Sequence, residues 1–169
     1  MLASIIILII SFILDGVLTN FLPFGVENIS LFTPLLTIVA LVVIYNFLYH
    51  KEKNYYILSF VIGILYDLFY TNLLFLDGLL FLLIAFVITK IYKVVGFNYM
   101  WIALDILISI IIYECSFALV IVIFNLVPMS IYRLLYKISH SIILNIIYGE
   151  LLYFIIQLLP KKYKKVRIN

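Results

Sequence analysis

The sequence predicts an all-α polytopic membrane protein, a single bundle of about six transmembrane helices. Of its 169 residues, 67% are hydrophobic and 11% charged, and the mean hydropathy is +1.31. Soluble domains carry roughly 45–50% apolar residues, so no soluble core could use this much apolar surface. The apolar residues also fall into runs near bilayer length, about 20 residues each. Prolines punctuate these runs: Pro23, Pro128 and Pro160 close or follow them, while Pro34 falls near a start, where its missing N–H is harmless. Spans and short connections then use up the chain, giving one transmembrane domain over 1–160 and a basic cytoplasmic tail over 161–169.

The first run, Leu2 to Leu22, has Ser4 as the only polar residue among the first ten and no basic residue before it, so it is expected to persist as a helix. The second runs from Leu31 to Tyr49, the third and shortest from Tyr55 to Tyr70, and the fourth from Leu73 to Ile91. Tyr99 to Val127 and Ile138 to Leu159 complete the set. Tyr55, Tyr56, Tyr92, Tyr99, Trp101 and Tyr163 fall near predicted ends, where amphipathic rings anchor at lipid headgroups. Basic residues set the orientation. Lys51 and Lys53 follow the second run, Lys90 and Lys93 the fourth, and Lys161, Lys162, Lys164, Lys165 and Arg167 the sixth. Only Arg133 and Lys137 lie on the other side, so the positive-inside rule puts both termini in the cytoplasm. The terminal cluster reads first as a topology signal and second as a contact for anionic lipid. It forms no basic groove for nucleic acid.

Five acids fall within predicted spans: Asp15, Asp67, Asp105, Glu114 and Glu150. A carboxylate there costs several kcal/mol unless it is protonated or paired. Ser4, Ser11, Asp15 and Thr19 share one stripe of the first helix, and Ser59, Gly63 and Asp67 one stripe of the third. On the fifth, Asp105, Ser109 and Ser116 share a face, with Glu114 opposite. At 1.5 Å per residue Asp15 and Asp67 both lie roughly 18–20 Å from the cytoplasmic ends of their helices, with Glu114 and Glu150 within one to two turns of that level. Three readings of this layer are open. The acids are neutral and hydrogen-bonded across helices, or they meet a basic group on a partner's helix, or they line a proton or cation path.

Catalysis is not expected. Of the two histidines, His50 sits in a short loop and His140 near the start of the last helix, where it and Ser139 and Ser141 suit an interfacial capping role. There is no Gly-rich phosphate loop and no HExxH motif. The lone Cys115 lies in an apolar run and reads as packing. No cofactor and no metal are expected.

The run Gly63-Ile64-Leu65-Tyr66-Asp67-Leu68-Phe69, followed after a short turn by Leu73 to Ala85, resembles the central signature of the rod shape-determining MreD family. Thr33-Pro34-Leu35 opening the second helix, the chain length and the basic C-terminus are similar to that family as well. Leu74-Phe75-Leu76 stands where the family often has a glycine, so the turn between helices three and four is expected to differ. The resemblance implies a non-enzymatic scaffold of the bacterial cytoplasmic membrane that binds the bitopic protein MreC. It also implies work with the MreB filament, a RodA-type glycosyltransferase and a class B penicillin-binding transpeptidase in lateral wall growth. On this reading the Ser59, Gly63 and Asp67 face is the candidate partner contact, and the Lys161 to Arg167 cluster touches lipid or filament. The family's fold is similar to that of the substrate-binding components of energy-coupling-factor transporters, which leaves small-molecule uptake as the alternative function.

Overall fold

The structure, a computed structural model, describes residues 2–21, 33–47, 52–71, 75–95, 101–125 and 130–159. Among these residues six helices follow one another: α1 (Leu2–Phe21), α2 (Leu36–Phe47), α3 (Glu52–Tyr66), α4 (Leu76–Val95), α5 (Ile102–Ile123) and α6 (Ile131–Leu158). A π-helical segment, Asp67–Thr71, continues α3. No strand occurs among the described residues. Among the described residues four helices, α1, α4, α5 and α6, are long and apolar enough to cross a membrane.

The centre of the bundle is α2. All of its 12 residues are buried, enclosed by α1, α4, α5 and α6. Apolar residues cover every side of it, and a helix hydrophobic all round has its lowest free energy when neighbours surround it. At 12 residues it is only about 18 Å long, against a hydrocarbon core of about 30 Å. The second apolar run therefore yields a much shorter helix than its 19 residues suggest, because residues 33–35 are not helical and Pro34 disfavours α geometry in the residue before it.

The outer helices are amphipathic with respect to this core. On α1 the buried positions Ser4, Ile7, Leu8, Ser11 and Asp15 follow the 3–4 spacing of one face, while Ile6, Ile9, Ile10 and Ile13 face outward, as lipid requires. α3 packs chiefly on α4. Gly63 makes this possible, since a Cβ there would lie 2.5 Å from the carbonyl oxygen of Asp77 and 2.7 Å from the Cα of Gly78. Tyr70, on the π-helical segment, donates to the carbonyl of Phe12 at 2.6 Å and ties this hairpin back to α1. The backbone turns into α4 at Phe75, with φ 67, a left-handed conformation that glycine adopts more freely.

One further boundary and one anchoring role differ from the hydropathy reading. α6 starts at Ile131 rather than Ile138 because Ser130 caps it, accepting from the N–H of Arg133 at 3.2 Å. Its 28 residues span about 42 Å, more than the hydrocarbon core, so the helix carries Arg133 and Lys137 within its first turns. Tyr55 is not an interfacial anchor: it is buried in the core and donates to the carbonyl of Leu41 at 3.1 Å.

Candidate functional site

A helix that starts inside a bilayer leaves its first N–H groups without partners, and lipid offers none. α2 solves this with side chains from two neighbours. Asp15 of α1 accepts from the N–H of Leu36 through Oδ1 at 2.7 Å, and from the N–H and hydroxyl of Thr37 through Oδ2 at 2.9 and 2.5 Å. Asn145 of α6 accepts from the N–H of Leu35 at 2.9 Å and donates to the carbonyls of Thr33 and Ser141 at 3.0 and 2.7 Å. A carboxylate suits this place because it also meets the positive end of the helix dipole. Nearby, Ser11 gives its hydrogen to the carbonyl of Ile7 at 2.7 Å, so Tyr148 donates to Ser11 at 2.7 Å and pins α6 to α1. Thr19, by contrast, is exposed and bonds back to the carbonyl of Asp15.

The second joint repeats the device. Asp67, fully buried, accepts from the N–H of Asp77 at 2.9 Å and of Gly78 at 3.1 Å, the first turn of α4. The Thr71 hydroxyl lies between two carboxylates, 2.8 Å from Asp77 and 3.2 Å from Asp67. Tyr113 of α5 donates to the other Asp77 oxygen at 2.9 Å. The joint thus links α3, α4 and α5. Asp77, which the five intramembrane acids named above do not include, is as buried as Asp67. In sequence it reads as an ordinary first-turn acid, and the available signal is its distance of ten residues from Asp67 across one short turn.

The remaining acids serve α5 and α6. Asp105 accepts from Asn46 at 3.2 Å, at the far end of α2. Its other oxygen, Oδ1, has no hydrogen-bond partner among the described residues. Glu114, whose side chain is fully buried, lies 2.8 Å from the ammonium of Lys137, 26% exposed. Neither Glu114 oxygen is aligned for a hydrogen bond, so this contact is a close ion pair. Lys137 also lies 5.5 Å from the centre of the Phe117 ring. The counter-charge for Glu114 is therefore internal, a consequence of the earlier start of α6. Glu150 is half-buried.

The face expected to meet a partner is occupied by the chain itself. Ser59, Gly63 and Asp67 are all buried, with Ser59 bonded to the carbonyl of Tyr55 at 2.8 Å and the other two closed by α4. The close approach that Gly63 permits is real, but the approaching helix is α4. His140 stacks on Tyr136 with ring centres 4.0 Å apart and has Nδ1 2.9 Å from that residue's carbonyl. Among the described residues no three His, Cys, Asp or Glu side chains could hold a metal ion together. His50 and the Lys161 to Arg167 cluster lie outside the described residues.

The model of the family described as rod shape-determining protein MreD matches residues 2–163. The chain belongs to the MreD family. It is thus a multi-pass membrane protein of a family of shape-determining components, with a role in rod shape determination. No curated protein and no solved structure matches it. In this MreD family member the residues of the central signature build the joint between α3 and α4: Gly63 lets the helices touch, and Asp67 holds the first turn of α4.

Proposed function

We propose that this MreD family member is a non-catalytic scaffold of the cytoplasmic membrane, with both termini in the cytoplasm, that binds MreC. Through MreC it helps link MreB to the RodA-type glycosyltransferase and the class B penicillin-binding transpeptidase of lateral wall growth. The observation that carries this reading is the family match over 2–163. The use of the intramembrane acids supports it: Asp15, Asp67 and Asp77 spend their oxygens on helix ends and hydroxyls of the same chain, which makes a rigid body rather than a reactive centre. Ser59, Gly63 and Asp67 act in this proposal by fixing the α3–α4 hairpin whose outer surface is presented to the membrane. The Lys161 to Arg167 cluster faces anionic lipid or the filament.

The test is a pull-down from membranes with affinity-tagged wild type and Asp67→Asn, analysing proteins and small molecules in the same sample. Wild type is expected to bring down MreC, with less recovered by the variant as the hairpin loosens. Recovery instead of a stoichiometric metabolite or a transporter ATPase module would overturn the scaffold in favour of uptake.

A further inference from the structure

Between α3 and α4 the outer surface holds a groove of about 460 Å³ lined by Tyr56, Leu79, Leu82, Leu83 and Phe86. Its walls carry no free polar group. The Tyr56 hydroxyl bonds Thr89 at 2.6 Å, and because Thr89 gives its own hydrogen to the carbonyl of Phe86 at 2.7 Å, Tyr56 is the donor and its ring alone faces the groove. Next to Leu79, at one end, α3 and α4 cross closely at Gly63 and Gly78. At the other end a cation waits. Leu79, Leu83, Phe86 and Lys90 recur at spacings of four, three and four, along one face of α4, and the Lys90 ammonium lies 5.3 Å from the centre of the Phe86 ring. Lys93, the next lysine, is paired with Glu52 at 3.0 Å. No carboxylate pairs with Lys90 among the described residues.

We propose that this groove seats an acyl chain of an anionic phospholipid, with the headgroup phosphate on Lys90. Length and charge both select that occupant. From Leu79 to Lys90 the helix rises roughly 16 Å, about half of a 30 Å hydrocarbon core, which is the depth of one leaflet. A transmembrane helix of a partner would need a groove running through both leaflets, whereas the lining on α4 begins at Leu79. Lys90, stacked on the Phe86 ring of the groove wall, complements a phosphate at the headgroup end, and one lysine at a lipid surface accounts for about a fivefold preference. That the lipid belongs to the cytoplasmic leaflet rests on the proposed orientation, whereas binding itself does not.

The experiment is native mass spectrometry of the purified full chain in neutral detergent, offered equimolar phosphatidylglycerol and phosphatidylcholine with the same acyl chains. Wild type is expected to retain phosphatidylglycerol about fivefold over phosphatidylcholine. Lys90→Gln, a change at an exposed position, should reduce that ratio to near one. Leu83→Trp should lower occupancy by both lipids by filling the groove, whereas Ile147→Trp, 61% exposed on α6, should lower neither. Equal occupancy of the two lipids on wild type, an unchanged ratio in Lys90→Gln, or equal losses at positions 83 and 147 would each overturn the proposal. So would a photocrosslinker at position 83 that captures a protein helix in membranes in place of lipid. Micelles carry no sidedness, so a wrong orientation cannot produce any of these failures.

Discussion

Asp15 is the residue on which most of the interior depends, because three donors of α2 end on its two oxygens. In water a lost cap is replaced by solvent, but in lipid the stranded N–H groups keep the full penalty, about 1–3 kcal/mol each. Asp15→Ala should therefore destabilise the protein by on the order of 3 kcal/mol, read as a lower unfolding temperature in detergent. Asp15→Asn should fall between, since its amide oxygen still accepts while its NH₂ opposes a donor. Equal unfolding temperatures for all three chains would refute the clamp. The Glu114–Lys137 pair makes a different prediction, since a buried charge is costly mainly when its partner is removed. Lys137→Met alone should lower stability more than the double change Glu114→Leu with Lys137→Met, and thermal unfolding of the two variants ranks them. The reverse ranking would mean that an unpaired Glu114 costs less in its buried place than leucine does, and would refute the penalty of an uncompensated charge.

Two glycines make contrasting statements about how elements meet. A methyl at Gly63 would strike backbone, the carbonyl of Asp77 and the Cα of Gly78, so α3 and α4 would have to separate and pull the first turn of α4 off Asp67. A methyl at Gly149 would meet chiefly the terminal carbon of the Ile106 side chain, which can turn aside. Gly63→Ala should cost about 1–3 kcal/mol and Gly149→Ala clearly less; chemical unfolding in mixed micelles measures both, and equal costs would argue against the close α3–α4 contact. The sequence made part of this legible. The spacing of Gly63 and Asp67 placed a notch and a carboxylate on one face, but a single helix face does not say which helix fills it, and here it is the next one in the chain. The start of α6 was hidden because Arg133 and Lys137 break the apolar run, although Ser130 just before them is an ordinary capping residue. The start of α2 was hidden for the opposite reason: the apolar run begins before Leu36, and hydropathy does not register where helical hydrogen bonding begins.

For the whole molecule, hydropathy disclosed the all-helical bundle and its six elements, since burial in lipid imposes apolarity on every outward position. It did not disclose that one of the six sits at the centre as a short post. That arrangement bears on topology. The expected placement of Lys51 and Lys53, Lys90 and Lys93, and the Lys161 to Arg167 cluster on one side requires only that α3 with α4, and α5 with α6, each go out and return. The position of the N-terminus depends on α2 alone. If α2 and the residues leading to it complete a crossing, α1 starts in the cytoplasm; if they only dip in and return, α1 starts outside. Its C-terminal end meets Asp105 near the start of α5 through Asn46, and its N-terminal end meets Asp15, which comes late in α1. The helix thus runs antiparallel to α1 and α5, from the level where α1 is finishing to the level where α5 begins, as a crossing requires. Tags for cytoplasmic fluorescent complementation at each end should therefore both give signal. A signal from the C-terminal tag alone would mean that α2 is re-entrant and that the bundle crosses the membrane an odd number of times. Deleting residues 161–169 should leave the orientation unchanged, because Lys51, Lys53, Lys90 and Lys93 still outnumber Arg133 and Lys137.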